Sequence, residues 1–314
     1  VQLNRNAFRL CDVLAERAER LRVTVKRDEC GARIFDCGVF SSGGLEAGRC
    51  LAEICLAGVG RVDIIPADPR LWEGAAVVVR TDQPVAGCMA AQYAGWQIAG
   101  KNFFAMGSGP MRAAGSRESL FEQIGYREHP KQVVGALEAS SLPPSDVCAH
   151  IAERCNVAEE NVTLLVAPTS SPAGTVQVVA RSIETAMHQL LELGFDLTRV
   201  KSGFGTAPLP PVAANDLEGI GRTNDAILYG SQVALWVSGD DEAIKEFGPR
   251  VPSSVSDDYG EPFAAVFERY NRDFYKIDPS LFSPASVTFH NLDTGHTFRY
   301  GNTDPEILQR SFLS

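Results

Sequence analysis

Several familiar signatures are missing from this chain. Its eight cysteines include no pair with the two-residue gap of a zinc knuckle or a dithiol motif; the close pairs are Cys30 with Cys37, Cys50 with Cys55, and Cys148 with Cys155. The five histidines, at 129, 150, 188, 290 and 296, make neither HxH nor HExxH, so no metal is expected. No apolar run approaches about 18 residues, and no charged-then-apolar leader opens the sequence. A soluble, cytoplasmic protein without a membrane partner is therefore expected. Positive charge is also short: 29 Lys and Arg face 39 Asp and Glu, for a net −10. A phosphate backbone wants a basic face, so no nucleic-acid partner is expected either. There is no low-complexity segment, no P-loop and no dinucleotide fingerprint.

What is present is ordinary globular material. The 314 residues are 45% hydrophobic and 22% charged. A chain this long buries roughly three quarters of its unfolded surface and needs no covalent staples. Cys11, Cys50, Cys55, Cys148 and Cys155 fall in apolar helical patterns and read as small hydrophobes in a reducing compartment. Helix and strand patterns alternate. "NRNAFRLCDVLAERAERL", the serine-capped "SSGGLEAGRCLAEICLAG" and "PPSDVCAHIAERCNV" read as helices. "RVTVKRDECGARIFDCGV" reads as two strands joined at Glu29–Gly31. "VDIIPA", "AAVVVRTDQPVAGCMAAQYA", "KQVVGALEAS" and "NVTLLVAP" supply strands. "AILYGSQVALWV" and "SVTFHNLDTGHTFRYG" read as hairpins, and "PRVPSSVSDDYGEP" as a flexible surface loop. The class is α/β, with two domains expected at 1–165 and 166–314 and some interleaving of elements. A serine pair, glycine and long helix occur in both halves, which hints at duplication.

"TVQVVARSIETAMHQLLELG", Thr175–Gly194, reads as one helix, with Ser171 as cap, Pro172 in the first turn and Gly194 as stop. On a continuous helix Gln177, Arg181, Glu184 and His188 fall within about 60° of one another, beside the apolar face. An Arg181–Glu184 ion pair would explain two of them, though arginine before glutamate is the weaker order. A site would explain all four, since a carboxylate can activate water and an arginine can orient it. The preceding "APTSSPAG" brings Ser170 and Ser171 to the end of a strand, where open α/β sheets tend to bind ligands.

Other stretches are candidates for binding. "GSGPMRA" offers Ser108 and Gly109 in a phosphate-like cradle, or simply a tight turn. "QYAGWQI" offers Tyr93 and Trp96, which suit stacking on a flat heterocycle or a place in the core. "KSGFGTAPLPP" contributes Phe204, and "GIGRTNDAILYG" crowds Arg222, Asn224 and Asp225 before a strand, where they could bond a polar heterocycle or cap a turn.

Together, "GGLEAGRCLAEICLAG", "QYAGWQI", "FFAMGSGPMRA", "APTSSPAGTVQVVARSIETAMHQL", "KSGFGTAPLPP" and "IGRTNDAILYG" resemble the methenyltetrahydromethanopterin cyclohydrolases, in order and across nearly the whole chain, with the methylotroph-type members as the better fit. The resemblance implies two α/β domains side by side, the pterin in a cleft between them, and a homotrimer. It implies hydrolysis of the methenyl carrier to the 5-formyl form in formaldehyde oxidation, with no metal and no cofactor beyond the pterin substrate. The family's Arg-x-x-Glu pair falls on Arg181 and Glu184, as positioning arginine and water-activating glutamate. Two other classes stay open at this point: a pterin- or phosphate-binding protein without activity, and a metal-dependent aminohydrolase.

Overall fold

The computed structural model describes residues 1–313. Chain contacts divide the protein into two units, Val1–Arg61 with Ala86–Gln177, and Val62–Val85 with Val178 onward. Each unit is built from two separated stretches, an interleaving that a single cut at 165/166 does not describe. The strands are β1 (Thr24–Arg27), β2 (Arg33–Asp36), β3 (Gly60–Pro66), β4 (Ala75–Thr81), β5 (Trp96–Gly100), β6 (Phe103–Ser108), β7 (Val133–Glu138), β8 (Val162–Ala167), β9 (Val200–Pro208), β10 (Gln232–Val237), β11 (Ser286–Asn291) and β12 (Thr297–Gly301). The α-helices are α1 (Leu3–Glu16), α2 (Leu45–Cys55), α3 (Met111–Gly115), α4 (Leu120–Gln123), α5 (Ser145–Cys155), α6 (Pro172–Val179), α7 (Ser182–Glu192), α8 (Asp216–Leu228), α9 (Asp241–Phe247), α10 (Phe263–Arg269) and α11 (Pro305–Phe312). The mixed α/β class expected from the sequence is the one observed.

The first unit holds a six-stranded sheet in the order β1-β2-β8-β7-β6-β5. Its centre is parallel, with β8 between β2 and β7, and its flanks are antiparallel. β8 is apolar at every position but Thr163, and all six of its residues are buried, as in a parallel sheet covered on both faces. Ile34, Val133, Leu164 and Val166 join one core with Cys148, Ile151 and Cys155 of α5. Their chain neighbours Phe35, Val134 and Leu165 join the other, with Ala7, Cys11 and Leu14 of α1 and Leu51 and Ile54 of α2. The two-residue side-chain period of a strand sorts them this way.

The second unit holds the order β12-β11-β10-β9-β4-β3. Only β10 with β11 is parallel among its described pairings; β9 lies antiparallel between β4 and β10. The β11–β12 hairpin is present as read, with Gly295 at φ +74 in its turn.

The structure corrects several expectations. Val85–Gln92, read as strand material, is a π-helix; Tyr93 N–H donates to Cys88 O, five residues back, at 2.9 Å. The run is small and apolar with a single β-branched residue, so nothing in it favours a strand. The serines before α2 do not cap it; Gly44 holds that position. "AILYGSQVALWV" is not a hairpin: its first residues end α8, and β10 follows alone. "PRVPSSVSDDYGEP" is not a loose loop. Val251 and Ser253 are fully buried, and Ser253 N–H donates to Pro284 O at 3.0 Å.

Candidate active site

In the first unit the carboxyl ends of the parallel strands β2 and β8 carry two built turns. Beyond β2, Asp36 accepts four backbone N–H groups: Gly38 at 3.1 Å, Val39 at 2.7 Å, and Phe40 and Ser41 each at 2.9 Å. That clamp holds up Phe40, which is 84% exposed. Beyond β8, Ser171 caps α6 as expected. Its Oγ donates to Pro168 O at 2.7 Å and accepts from Gly174 N–H at 3.1 Å. The turns touch: a Cβ on Gly38 would lie 2.5 Å from Ser171 Oγ, so residue 38 has to be glycine. Ser170, beside the cap, is half-buried. Thr175 Oγ1 closes the turn by donating to Thr169 O at 3.0 Å and Ser171 O at 2.8 Å.

The long helix is broken. Thr175–Leu193 is not one element: α6 ends at Val179 and α7 begins at Ser182. Arg181 sits between them at φ −93, ψ 7, its N–H bonded to Val178 O, only three residues back, at 3.1 Å. No glycine or proline causes the break. Val176, Val178 and Val179 lower the local helix propensity, and the division between the units falls at Gln177–Val178. Each half is anchored by its own unit. Ala173 and Val176 pack on Gly48 of α2, while α7 lies on β9, β10 and β4. The line drawn through four polar residues on a continuous helix is therefore not kept. Gln177 belongs to the first unit, where its Nε2 donates to Cys55 Sγ at 3.8 Å. Cys55 Sγ in turn meets Ser108 Oγ at 3.4 Å.

Arg181, Glu184 and His188 stay together in the second unit. Arg181 and Glu184 are 5% and 6% exposed, which takes both out of the class of solvated surface charges. Glu184 sits in the first turn of α7, where the helix dipole favours a negative charge. His188 is half-buried, 3.7 Å from the Glu192 carboxylate. Gly194, at φ +88, ends the segment as expected. The glycines of "KSGFG" let α7 lie close on β9: a Cβ on Gly203 would meet Ile183 at 2.9 Å, and one on Gly205 would meet Ser182 Oγ at 2.3 Å. Phe204, between them, is 37% exposed.

The remaining candidates fall in different surroundings. Trp96 is 6% exposed in the first unit's core, with Arg154 over its ring at 5.4 Å. The Tyr93 ring carries the Arg112 guanidinium 4.6 Å above it. Ser108 is fully buried at the end of β6, and Gly109, at φ +89, turns the chain into α3. The "GIGRTNDA" crowd is not a turn before a strand but the body of α8, capped by Asn215 accepting from Glu218 N–H at 3.0 Å. Arg222 donates to Pro211 O at 3.3 Å, and Asn224 to Ile220 O at 2.8 Å. Asp225 is fully buried and accepts from Phe263 N–H at 2.8 Å. Burial pushes its carboxyl up to about 7, against partial opposition from its bonds to Ser311 and Phe263.

Two features escaped the sequence reading. Arg112 is completely buried, paired with Glu118 and sandwiched by Tyr93 and Phe121. An arginine in a short "PMRA" segment carries no sign of this, because Glu118 and Phe121 reach it through the fold. The Asp36 clamp was missed as well, although an aspartate followed by Cys-Gly is a turn signal. Burial pushes the Cys11 and Cys155 thiols up to about 12, so neither suits a nucleophile.

The model of the family described as "Cyclohydrolase (MCH)" matches residues 2–312. The chain belongs to this family. It is thus an enzyme, a hydrolase that opens a ring at a cyclic amidine carbon–nitrogen bond. Among its relatives, the methenyltetrahydromethanopterin cyclohydrolase of Xanthobacter autotrophicus is 47% identical over 304 residues, covering 96% of this chain and 90% of the relative. That of Methylobacterium sp. (strain 4-46) is 45% identical over 314 residues, covering 99% and 97%. That of Methanosarcina mazei is 41% identical over 315 residues, covering 99% and 98%.

Proposed function

We propose that this cyclohydrolase converts 5,10-methenyltetrahydromethanopterin and water into the 5-formyl carrier, without a metal or a resident cofactor. Its relatives' names supply the substrate. The observation that carries the residue roles is the burial of Arg181 and Glu184 at the junction and first turn of α7. Two opposite charges removed from water three positions apart are costly unless function or strong pairing retains them.

The methenyl bridge is an amidinium cation whose carbon is already electrophilic. In this reading Glu184 takes a proton from water as its oxygen adds to that carbon. The neutral hydroxymethylene adduct then receives the proton on one ring nitrogen, that carbon–nitrogen bond breaks, and loss of the hydroxyl proton leaves the formyl group. One carboxylate serves as base and then as acid. Arg181 holds the water and the carboxylate in line with its planar fork. His188 and Phe204, in the same unit as Arg181 and Glu184, are the candidates for contact with the carrier.

The same reading makes the chain a cytoplasmic homotrimer working in the hydrolytic direction during formaldehyde oxidation. Eight free thiols suit a reducing compartment. Sedimentation at working concentration tests the trimer, and a monomeric, fully active species would remove it. Glu184→Gln tests the mechanism. The variant should still bind the methenyl carrier while turnover falls by at least about 100-fold, the lower end of a general base's contribution. Retained turnover would overturn the assignment of Glu184.

A further inference from the structure

The turn between β1 and β2 contains Asp28 and Cys30, and the first part of α5 contains Cys148. Nearly 120 residues of chain separate them, and the fold of the first unit brings their side chains together. The nearest Asp28 oxygen, Cys30 Sγ and Cys148 Sγ all lie within 4.8 Å of one another. Cys30 Sγ is 3.1 and 3.2 Å from the two Asp28 oxygens. Cys148 is fully buried. Glu159 adds a second carboxylate at Cys30.

The backbone makes this arrangement rigid. Asp28 Oδ1 accepts from Ala32 N–H at 2.9 Å and fixes the turn. Gly31, at φ +89, seats the turn so closely on the 3-10 turn Glu159–Asn161 that an added Cβ would lie 3.2 Å from Glu160. Beside the cluster opens a hollow of about 390 Å³ lined by Cys30, Ala152, Glu153, Val157, Glu159 and Glu160. An ion could reach Cys30 from that side. Only one of the two sulfurs is buried in the core, and the acidic side chains leave the mouth negative.

We propose that Asp28, Cys30 and Cys148, with Glu159 as outer carboxylate, form a site for a thiophilic divalent cation such as Zn2+. Two thiolates and a carboxylate are borderline-soft donors, which select Zn2+ or Cd2+ over Mg2+ or Ca2+. A tetrahedral ion with ligand bonds of about 2.0–2.3 Å holds its donors roughly 3.3–3.8 Å apart, so the cluster needs only a small contraction. On loading, each thiol gives its proton to solvent and its sulfur lone pair to the ion. The ion would tie the β1–β2 turn to α5 and the Glu159 turn, a structural role sharing no residue with Arg181 or Glu184.

The test is titration of the reduced full-length protein with Cd2+, followed by ultraviolet sulfur-to-cadmium absorbance, and with Zn2+, followed by metal content after gel filtration. One ion per chain is expected, and a rise in Tm on loading. Cys30→Ser and Asp28→Asn should each weaken binding by at least about tenfold and abolish that rise. Asparagine can still accept from Ala32, so Asp28→Asn keeps the turn even if Cys148→Ser does not fold. Cys50→Ser, which removes a half-buried thiol elsewhere in the unit, should change neither reading. Failure to retain an ion, or equal retention by Cys30→Ser, overturns the proposal. Neither outcome bears on the cyclohydrolase reaction.

Discussion

Glu184 and Arg181 are each nearly sealed from solvent, and they differ in what a substitution should reveal. Arg181 tests geometry rather than charge. Lysine at 181 keeps the cation but replaces a rigid fork with a mobile point charge. Arg181→Lys should lower kcat on the order of 100-fold, the cost of misplacing a reacting group by about 1 Å, with little change in carrier affinity. Steady-state hydrolysis with binding measured separately decides the matter. Near-normal turnover would reduce Arg181 to an ion-pair partner.

At the scale of elements, the seat of α7 on β9 is the sensitive contact. Gly205→Ala would drive a methyl group to 2.3 Å from Ser182 Oγ, one residue from Arg181. Overpacking of this kind costs about 1–3 kcal/mol, so Tm should fall and kcat should fall with it, although no side chain of the proposed pair is altered. Adding Ser182→Ala removes the hydroxyl and leaves Ile183 Cγ1, at 3.2 Å, and the residue-182 Cβ, at 3.3 Å, as the next contacts. The double variant should regain part of the loss. If Gly205→Ala melts and turns over like the parent, α7 is less tightly seated than its packing indicates.

The join between α8 and α10 has a pH signature. Asp225 is buried with its carboxyl raised to about 7, against an ordinary value of about 3.9 in the unfolded chain. The folded state therefore holds the extra proton between those values. Its stabilising effect is complete below about pH 4 and is lost as pH rises to about 7, by up to roughly 1.4 kcal/mol per unit. Asp225→Asn has no such proton to lose and still offers an oxygen to Phe263 N–H. Its Tm should drop less than that of the parent between pH 4.5 and 7. Parallel curves for the two proteins would show that Asp225 does not titrate in this range.

For the whole molecule, the reaction and the proposed ion should come apart. An amidinium carbon needs no Lewis acid, so exhaustive chelation should leave kcat within about twofold of the untreated enzyme, since any loss of structural stability acts on the folded fraction and not on the chemical step. The same treatment should lower the Tm of zinc-loaded protein. Loss of turnover that one divalent metal restores would show the mechanism to be wrong.

Elements were legible where a single pattern decided them. The two-residue alternation and turn glycines gave the β1–β2 and β11–β12 hairpins, and the capping serine and stop glycine gave both ends of the α6–α7 segment. Of the proposed site, the Arg181–Glu184 spacing was readable because it is local. Gln177 was not placed correctly, because a helical projection assumes a helix that continues, and this one does not. The body of α8 was missed because its glycines and short polar residues are poor helix formers in isolation. Its Asn215 cap, and Asp225 bonded to the start of α10, are what the fold adds.

The sequence by itself determined the α/β class, most strand positions, the helices α1, α2 and α5, and family membership, since these rest on local periodicity and on motifs contiguous in the chain. Tertiary structure alone decided the break at Ala180–Arg181, the burial of Arg112 against Glu118 and Phe121, and the meeting of Asp28 and Cys30 with Cys148. Each depends on residues far apart in sequence or on two halves of one segment packing in different cores. No local pattern records such contacts, because the free energy that holds them comes from burial, and burial exists only once the chain has folded.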